Sequence, residues 1–495
     1  MSSIFVKYIG ALTSKPYAFA ARPWELKSIE TLDVFDSVGA NIRVDIRGDA
    51  IMRILPSLNE EINEEWLSDK SRFAYDGLRL QRLYTPFVKI GGNLTSVSWK
   101  KAFDVILHNL VDRNPGEIGG FVGRSVDMES IYLLRKLFFK LGSSNVFSSE
   151  VSTSDIDFRA SYVLTSGLKG LENSDFVMIV GFNPKIELPL LNVRLRRLAL
   201  EKKVTLVYLG NNIVLNYSYK NLGSDMNTFV KIVEGRHHMT KFIKKASKPL
   251  VLVGTSFFKQ SSFVSSVIIQ HLSHFLSKIN SNFGVSLVTT FSGQMGGFDL
   301  GLRNIDFNLL QKLKFVYLLG ADDFDYETLR IFRQKNNSGG KLFVVYQGHH
   351  GDLGAELADV ILPGSAYTEK NASFTNLEGR VQRTRAIFLP PGQSREDWKI
   401  INALSDFVGK TLHYNNLDNI LSDIAILVPS FKNVSVRCVP RFFIFKDFSS
   451  GFSIYYNYPL VITSDNFYGT DPISRSSVTM TKCASSFLFS NPVNF

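Results

Sequence analysis

The sequence is short of thiols: its 495 residues include only two cysteines, Cys438 and Cys483, which are far apart in the chain. Zinc ribbons and cysteine-ligated iron–sulfur clusters need several thiolates at close spacing, so the sequence lacks the motif for either. A small secreted scaffold held by disulfides is excluded for the same reason. Long apolar runs are also missing, because no stretch reaches the roughly 18 uninterrupted apolar residues that predict a membrane helix.

Common catalytic motifs are absent as well. There is no P-loop, no nucleophile elbow, no H-E-x-x-H zinc motif and no G-x-G-x-x-G fingerprint. The glycines of Gly119–Gly123 lie at a strand-to-helix junction, where close backbone packing explains them better than dinucleotide binding. His349 and His350, with Asp352, form a weak metal candidate, because neighbouring side chains in an extended segment point apart. The pair His237 and His238 is expected on the surface.

The composition predicts a large globular protein with a net positive charge. Apolar residues make up 45% and charged residues 20% of the chain, which excludes disorder for most of it. The formal charge is 56 − 45 = +11, and residues 185–259 alone hold 14 Lys or Arg against 4 acids. Such a stretch is typical of a solvated face or of a docking face for an anionic partner.

Short apolar runs alternate with segments of helical period, and most of the runs end at glycine or another turn residue. This pattern predicts an α/β fold with doubly wound parallel sheets, in which ligands bind in the loops at the carboxyl ends of the strands. Residues 1–95 differ, since their alternating strands predict a small N-terminal β-rich subdomain. We expect an α/β region over 96–430 and an extended tail over 431–495. The predicted strands of the α/β region are 118–122, 176–180, 204–209, 250–253, 315–319, 342–346 and 360–362.

Two segments resemble a known family. Residues 358–371 read A-D-V-I-L-P-G-S-A-Y-T-E-K-N and residues 376–382 read N-L-E-G-R-V-Q, which is similar to the signature of molybdopterin oxidoreductases. Catalytic members of that family also carry C-P-x-C-x-x-G-C and L-C-x-K-G-R-F motifs that bind a [4Fe-4S] cluster. The corresponding positions here are Asp33, Asp36, Ala40 and Ser68, while the framework residues around them, such as Gly39 and Lys70, remain. The resemblance therefore implies a vestigial cluster subdomain within residues 1–95.

Among relatives with this fold, the chain resembles the large iron–sulfur subunit of respiratory complex I, in the mitochondrial type of the NADH-quinone oxidoreductase family. The match runs almost end to end, through residues 10–25, 53–56, 63–66, 346–352, 395–401 and 471–475. The family's N-terminal cluster-binding part ends in C-P-V-G-A-L-T, whereas this chain reads K-Y-I-G-A-L-T from Lys7. We therefore expect no cofactor in this chain, and a separate chain that carries the iron–sulfur domain.

The resemblance implies a structural, non-catalytic subunit of the peripheral arm of complex I, on the matrix side of the inner mitochondrial membrane. Expected partners are other peripheral-arm subunits, with neither nucleic acid nor a direct membrane span. Lys15, Arg22 and Trp24 are predicted to contact the iron–sulfur domain. The alternative is an active molybdopterin-dependent oxidoreductase, for which Ser148, Ser149 or Asp155 would have to supply the metal ligand. Nucleic-acid binding through residues 185–259 is a third hypothesis, which predicts steep salt dependence.

Overall fold

A computed structural model gives the fold of most of the chain. It describes residues 14, 16–111, 113–149, 159–201, 204–258, 272, 273, 275, 276, 283–303, 307–324, 328, 331, 332, 334, 342–438 and 466–490. Lys7, Lys15 and Asp155, together with the aromatic runs of the predicted tail at 442–445 and 455–456, lie outside these residues. Our predictions for those positions therefore have no structural counterpart.

The strands form four sheets, and most of them begin within two residues of an apolar run in the sequence. In chain order they are β1 Lys27–Leu32, β2 Asn41–Arg47, β3 Ala50–Pro56, β4 Phe87–Ile90, β5 Asn93–Ser96, β6 Ile118–Val122, β7 Val146–Ser148, β8 Phe176–Val180, β9 Thr205–Leu209, β10 Lys220–Asn221, β11 Pro249–Gly254, β12 Gly284–Val288, β13 Phe315–Leu319, β14 Phe343–Gly348, β15 Val360–Pro363, β16 Ser373–Thr375 and β17 Val381–Arg383.

The helices connect and cover these strands. They are α1 Asp69–Phe73, α2 Trp99–Leu110, α3 Met128–Lys140, α4 Arg159–Tyr162, α5 Leu168–Leu171, α6 Pro184–Glu187, α7 Pro189–Glu201, α8 Met226–Val233, α9 Thr240–Lys245, α10 Ser292–Asp299, α11 Phe307–Lys312, α12 Leu353–Leu357, α13 Asp397–Phe407, α14 Leu417–Leu427, α15 Pro472–Ser476 and α16 Val478–Ser490. Short 3-10 turns occupy Pro23–Glu25, Ala74–Arg79, Pro115–Glu117, Thr255–Phe258, Tyr367–Glu369, Pro429–Lys432 and Phe467–Gly469.

A seven-stranded sheet forms the centre of the larger α/β layer. Its order is β5-β4-β15-β14-β13-β6-β7, with parallel pairing from β15 to β7 and antiparallel pairing for β4 and β5. Every residue of β6, β13 and β14 is buried, as expected for parallel strands covered on both faces. Helices α2, α3, α13 and α14 pack on one face, and α11 and α12 on the other. The pairing of β4 and β5 joins residues 87–96 to this sheet.

The second sheet has five parallel strands in the order β10-β9-β8-β11-β12. Side chains of α8 and α9 pack on one face, and those of α5 and α7 on the other. The predicted doubly wound α/β fold is therefore confirmed. Within the described part of the chain, no helix combines the length and the apolar character that crossing a bilayer requires.

The N-terminal strands β1, β2 and β3 form an antiparallel sheet, as the alternating pattern predicts. The core of this sheet is shared with the end of the chain, because Ile473 of α15 and Met480 of α16 belong to the same buried cluster as Leu32 and Val44. The 3-10 turn that contains Gly77 lies close to α15, because a Cβ atom on Gly77 would be 2.0 Å from the carbonyl oxygen of Ile473. The structure thus contains two helices, α15 and α16, within residues 431–495, where the sequence predicts only an extended tail.

Close packing also accounts for the glycines of β6. A Cβ atom on Gly119 would lie 2.7 Å from Leu313, and one on Gly123 would lie 1.7 Å from the carbonyl oxygen of Gly320. Real side chains do not approach the backbone so closely, so β6 can lie beside the loop after β13 only if glycine occupies position 123. This confirms the packing interpretation of the motif.

Candidate functional site

The carboxyl ends of β6, β13, β14 and β15 meet at one edge of the seven-stranded sheet, because these strands are parallel neighbours. Ligands bind at this edge in doubly wound folds. One cavity at this edge measures about 50 Å³ and is lined by residues such as Gly320, Gln347 and Ser365. A second cavity of about 480 Å³ lies beside the loop after β14 and is lined by residues that include Gly351 and Asp352. Pockets for organic ligands measure about 300–1,000 Å³, whereas one water occupies about 30 Å³. The smaller cavity therefore has room for water but is smaller than the pockets that take organic ligands.

Lys370 closes one side of this crevice. Its Nζ lies 2.5 Å from Oδ1 of Asp127 and 2.7 Å from Oδ2 of Asp397, and all three side chains are buried. Burial alone would lower the pKa of Lys370, but the charges of Asp127 and Asp397 raise it above its usual range. Asp127 also caps α3 by accepting a hydrogen bond from the backbone N–H of Ser130 at 3.0 Å. The lysine therefore ties together the starts of α3 and α13.

Further ion pairs lie near the same strand ends. Arg82 is paired with Glu369, and it also donates to the carbonyl oxygen of His349 at 2.7 Å. On the opposite wall, Arg475 lies 2.7 Å from a carboxylate oxygen of Asp352. Arg82 lies in the segment before β4, and Arg475 lies in α15, so both guanidinium groups come from elements outside the strands.

One carboxyl group at the cavity, that of Asp322, has a raised pKa. Burial, together with the nearby charges of Asp352 and Asp323, raises the pKa of Asp322 to about 7. The Tyr346 hydroxyl donates to Oδ2 of Asp322 at 2.8 Å, and the backbone N–H of Gly354 donates to Oδ1 at 3.0 Å. Asp322 is therefore bound on both oxygens by its own chain.

Two hydroxyl groups on the cavity wall are available to water. Ser365 and Tyr367 line the cavity and are buried, and their hydroxyls have no hydrogen-bond partner within the described residues. A buried polar group without a partner costs free energy, so water in the cavity would stabilise both.

The histidine pair lies at the end of β14. Nδ1 of His349 and Nδ1 of His350 are 2.5 Å apart, and Nε2 of His350 lies 2.8 Å from the carbonyl oxygen of Gly77. Burial lowers the pKa of both rings, that of His350 to about 4, so both are neutral at pH 7. Asp352 is engaged by Arg475. Among the described residues, no group of three or more His, Cys, Asp or Glu side chains is arranged to hold a metal ion.

The four positions predicted as lost cluster ligands come together in the structure. Asp33 and Asp36 lie in the loop after β1, Ala40 lies directly before β2, and Ser68 caps α1 by accepting from the backbone N–H of Ser71 at 3.2 Å; all four positions are buried. The Ser71 hydroxyl donates to Asp33 and lies 2.8 Å from the Ser68 hydroxyl. The site is therefore occupied by a hydrogen-bonded network of carboxyl and hydroxyl groups.

Lys70 adds a charge beside this network. Its Nζ donates to the Thr470 hydroxyl at 2.8 Å and lies 3.9 Å from Asp471. Burial lowers the pKa of Lys70, and it raises the pKa of Asp36 to about 7, with the charge of Asp33 adding to the rise. One oxygen of Asp36, Oδ2, is buried without a hydrogen-bond partner among the described residues.

The other residues that the sequence predicted as functional do not lie together in the structure. Arg22 and Trp24 are exposed around the turn Pro23–Glu25, with Trp24 80% exposed. Ser148 and Ser149 lie at and just after the end of β7, and neither lines the cavity. In the basic stretch, Arg194 donates to Glu172 at 2.6 Å and Arg197 to Glu64 at 3.0 Å. Those two arginines hold α7 in place and do not form part of a free basic face.

The comparisons with known proteins agree with this geometry. A family model for molybdopterin oxidoreductases matches residues 82–407, and one for the 4Fe-4S domain of NADH-ubiquinone oxidoreductase NDSU1/NuoG-like proteins matches residues 26–76. A third, for the C-terminal part of the G-type subunit of NADH-ubiquinone oxidoreductase, matches residues 456–483. The NADH-ubiquinone oxidoreductase 75 kDa subunit of Reclinomonas americana is 42% identical over 96% of this chain and 71% of its own length. The chain belongs to the 75 kDa subunit family of NADH-ubiquinone oxidoreductase.

Two further proteins are similar to this 75 kDa-type chain. The mitochondrial NADH-ubiquinone oxidoreductase 78 kDa subunit of Candida albicans is 41% identical over 97% of this chain and 67% of its own length. The solved structure of acetylene hydratase from Pelobacter acetylenicus superposes with a TM-score of 0.52 at 13% identity, covering 78% of this chain and 70% of that one, which shows the fold alone. The predicted family and the predicted molybdopterin oxidoreductase-like fold are confirmed.

One prediction is wrong. We expected no cofactor in this chain, yet residues 26–76 match the family's 4Fe-4S domain, which suggests iron–sulfur binding in this part of the chain. The side chains at the four predicted ligand positions offer two carboxyl groups and one hydroxyl but no thiolate, and no cysteine occurs within residues 26–76. They do not fit a cluster held by four cysteines. We therefore assign no electron-transfer step to this domain.

The residues that close the crevice were missed by sequence reasoning. Lys370 and Asp397 lie inside motifs that carry the family resemblance, but nothing in one sequence pairs them with Asp127, more than 240 residues earlier. Charged residues within an otherwise apolar or small-residue motif were the available signal, because such residues are almost never fully buried unless they are paired.

Proposed function

We propose that this 75 kDa-type chain is a structural subunit of mitochondrial respiratory complex I, located in the peripheral arm on the matrix side. Its molybdopterin-type α/β region would give rigid support to the iron–sulfur electron-transfer part of the arm. The observation that carries the proposal is the crevice at the carboxyl ends of the seven-stranded sheet. The cavity between these strand ends measures about 50 Å³, and buried ion pairs of Lys370 and Arg82 lie beside the strand ends.

Rigidity is the physical property that such a support needs. Electron transfer between clusters depends on fixed separations and on exclusion of water. A charge network that ties α3 to α13 across the strand ends restricts the relative movement of these elements.

The exposed N-terminal turn is the proposed contact with the iron–sulfur part. Trp24 is 80% exposed, and Phe19 is fully exposed with a left-handed backbone (φ 61°). Arg53 lies over the Tyr17 ring at 4.6 Å and holds the segment against the antiparallel sheet. Large exposed aromatic side chains beside an arginine such as Arg22 are typical of energetically dominant interface residues.

Assembly of the complex tests this contact. In cells that lack the native subunit, Phe19→Ala/Trp24→Ala should lower the yield of active NADH:ubiquinone reductase by about tenfold, as expected for two interface aromatics. The matched control is Leu389→Ala, which removes another highly exposed apolar side chain (89% exposed) elsewhere on the chain. Both variants should unfold at the wild-type temperature. Equal assembly of the two variants would contradict the proposed contact.

Two further measurements bear on the proposal. The separate chain that carries the iron–sulfur domain stays a prediction, and mass spectrometry of the purified complex should find a polypeptide with the cysteine motifs of the family's N-terminal part. Stoichiometric molybdenum or tungsten in the isolated chain would overturn the structural role and support the alternative oxidoreductase function.

A further inference from the structure

The exposed surface of α9 differs from the remainder of the basic stretch. This helix reads T-K-F-I-K-K and contains no acid. Thr240 and Ile243 are buried against the five-stranded sheet, while Lys241, Phe242, Lys244 and Lys245 are exposed. Lys220 of β10 joins them, with its Nζ 4.6 Å from the centre of the Phe242 ring. We call Lys220, Lys241, Phe242, Lys244 and Lys245 the α9 face.

The charge of the α9 face is not neutralised by its surroundings. None of its four lysines forms an ion pair with another residue that the structure describes. Residues 218–248 hold seven Lys or Arg against two acids, a balance of 7 − 2 = +5. Both acids are engaged, since Asp225 caps α8 through the backbone N–H of Asn227 at 3.0 Å and Glu234 pairs with Arg236.

The aromatic ring needs an explanation of its own. Lysines near a helix C-terminus are favoured by the helix dipole, which accounts for Lys244 and Lys245 without a partner. The dipole does not account for Phe242, which is 42% exposed, lies beside Lys220 and is flanked in the helix by Lys241 and Lys244. An apolar ring surrounded by unpaired cations matches a ligand in which carboxylates surround one large apolar side chain.

Other anionic partners fit this surface less well. Proteins that bind single-stranded nucleic acid present several aromatic side chains and arginines along a groove, whereas the α9 face has one ring and no arginine. A helix that lies in a membrane surface needs a long apolar face, and the six residues of α9 already bury Ile243 in the core. An acidic protein segment requires neither feature.

We propose that the α9 face is a docking surface for an acidic segment of another protein, in which several carboxylates flank one large apolar side chain. The lysines would attract the segment and set its orientation, and Phe242 would pack against the apolar side chain. Because ion pairs at an exposed surface are screened by salt, this contact weakens as ionic strength rises.

Fluorescence anisotropy with the intact chain tests the proposal. The probe is a fluorescein-labelled peptide of four glutamates around one leucine, titrated at about 50 and 200 mM salt. We expect saturable binding that falls with salt and weakens by about tenfold or more in Lys241→Glu/Lys244→Glu/Lys245→Glu. Phe242→Ala should weaken the leucine peptide but not a peptide with alanine in place of leucine. Lys100→Glu/Lys101→Glu, which reverses two exposed lysines on α2, is the matched control and should bind like the wild type.

The outcomes that would overturn the proposal are equally concrete. One is the absence of saturable peptide binding up to millimolar concentration. Another is equal weakening by the reversals on α9 and on α2, which would show attraction by net charge alone. A third is tighter binding of single-stranded DNA or of phosphatidylserine vesicles through the same three lysines, which would assign the face to nucleic acid or membrane. Unchanged thermal unfolding of the variants shows that loss of binding is not loss of fold.

Discussion

Lys370→Met would leave the carboxyl groups of Asp127 and Asp397 facing each other in the crevice without a cation. The lysine Nζ lies 2.5 Å and 2.7 Å from their oxygens, and the three side chains are no more than 9% exposed. Removing one partner of a buried ion pair costs about 3–5 kcal/mol, because the remaining charge is left uncompensated. Proton uptake by one carboxyl relieves part of this cost. We therefore expect a loss of about 3 kcal/mol at pH 7.5.

Equilibrium unfolding in urea measures this loss, and Trp398, which follows Asp397 directly and is 8% exposed, is a local fluorescence reporter. The control is Lys399→Met, since Lys399 is half-exposed and pairs with Glu396 at 2.9 Å on the same helix. Exposed pairs contribute about 0–1 kcal/mol, so this variant should be close to the wild type.

A compensated variant separates charge from packing. Adding Asp127→Asn and Asp397→Asn to Lys370→Met removes the uncompensated charges while keeping the N-cap of α3, because asparagine caps helices as well as aspartate does. Most of the lost stability should return. Our account of the crevice would be refuted if Lys370→Met matched Lys399→Met, or if the triple variant were no more stable than Lys370→Met.

Two further predictions concern the same region. The pKa of Asp322 is about 7 in the folded chain, against an ordinary value of 3.8. The contribution of this carboxyl to the free energy of unfolding is therefore full below about pH 4 and is lost as pH rises through 7. Between pH 5 and 8, the free energy of unfolding of the wild type should therefore fall by about 2 kcal/mol relative to that of Asp322→Asn, as measured in urea titrations. A difference between the two proteins that does not change with pH would contradict the assigned burial. Gly123→Ala would place Cβ 1.7 Å from the Gly320 oxygen and should cost about 3 kcal/mol or more of stability in thermal unfolding. Gly116→Ala is the control and should be neutral, because the space around Gly116 is open. Equal effects of the two substitutions would contradict the close approach at Gly123.

The strands were the part of the fold that could be predicted from sequence. Runs such as Phe176–Val180 and Phe315–Leu319 are entirely apolar and are followed by a glycine or a polar turn, so their type and bounds follow from local pattern alone. Helix α16 was missed because its sequence, V-T-M-T-K-C-A-S-S-F-L-F-S, is rich in residues that do not favour helices. Its partners lie at the other end of the chain, where a local pattern cannot show them.

The candidate site was predictable only in part. The positions Asp33, Asp36, Ala40 and Ser68 follow from family motifs, and the structure brings them together near Lys70. The hydrogen bonds that join them depend on side-chain directions set by the tertiary fold. The same holds for the crevice, because Lys370 and its carboxylate partners come from distant segments and only the structure brings them together.

The sharing of one core between the N-terminal sheet and helices α15 and α16 has a consequence during synthesis on the ribosome. Lys70 meets Thr470 across 400 residues, and Met480 completes a core that begins with Leu32. At about 5–20 residues per second, the first strands emerge roughly 20–80 s before the segment that covers them. Over that interval their apolar face has no native cover from the C-terminal helices, so chaperones have the longest opportunity to bind the nascent chain at this sheet.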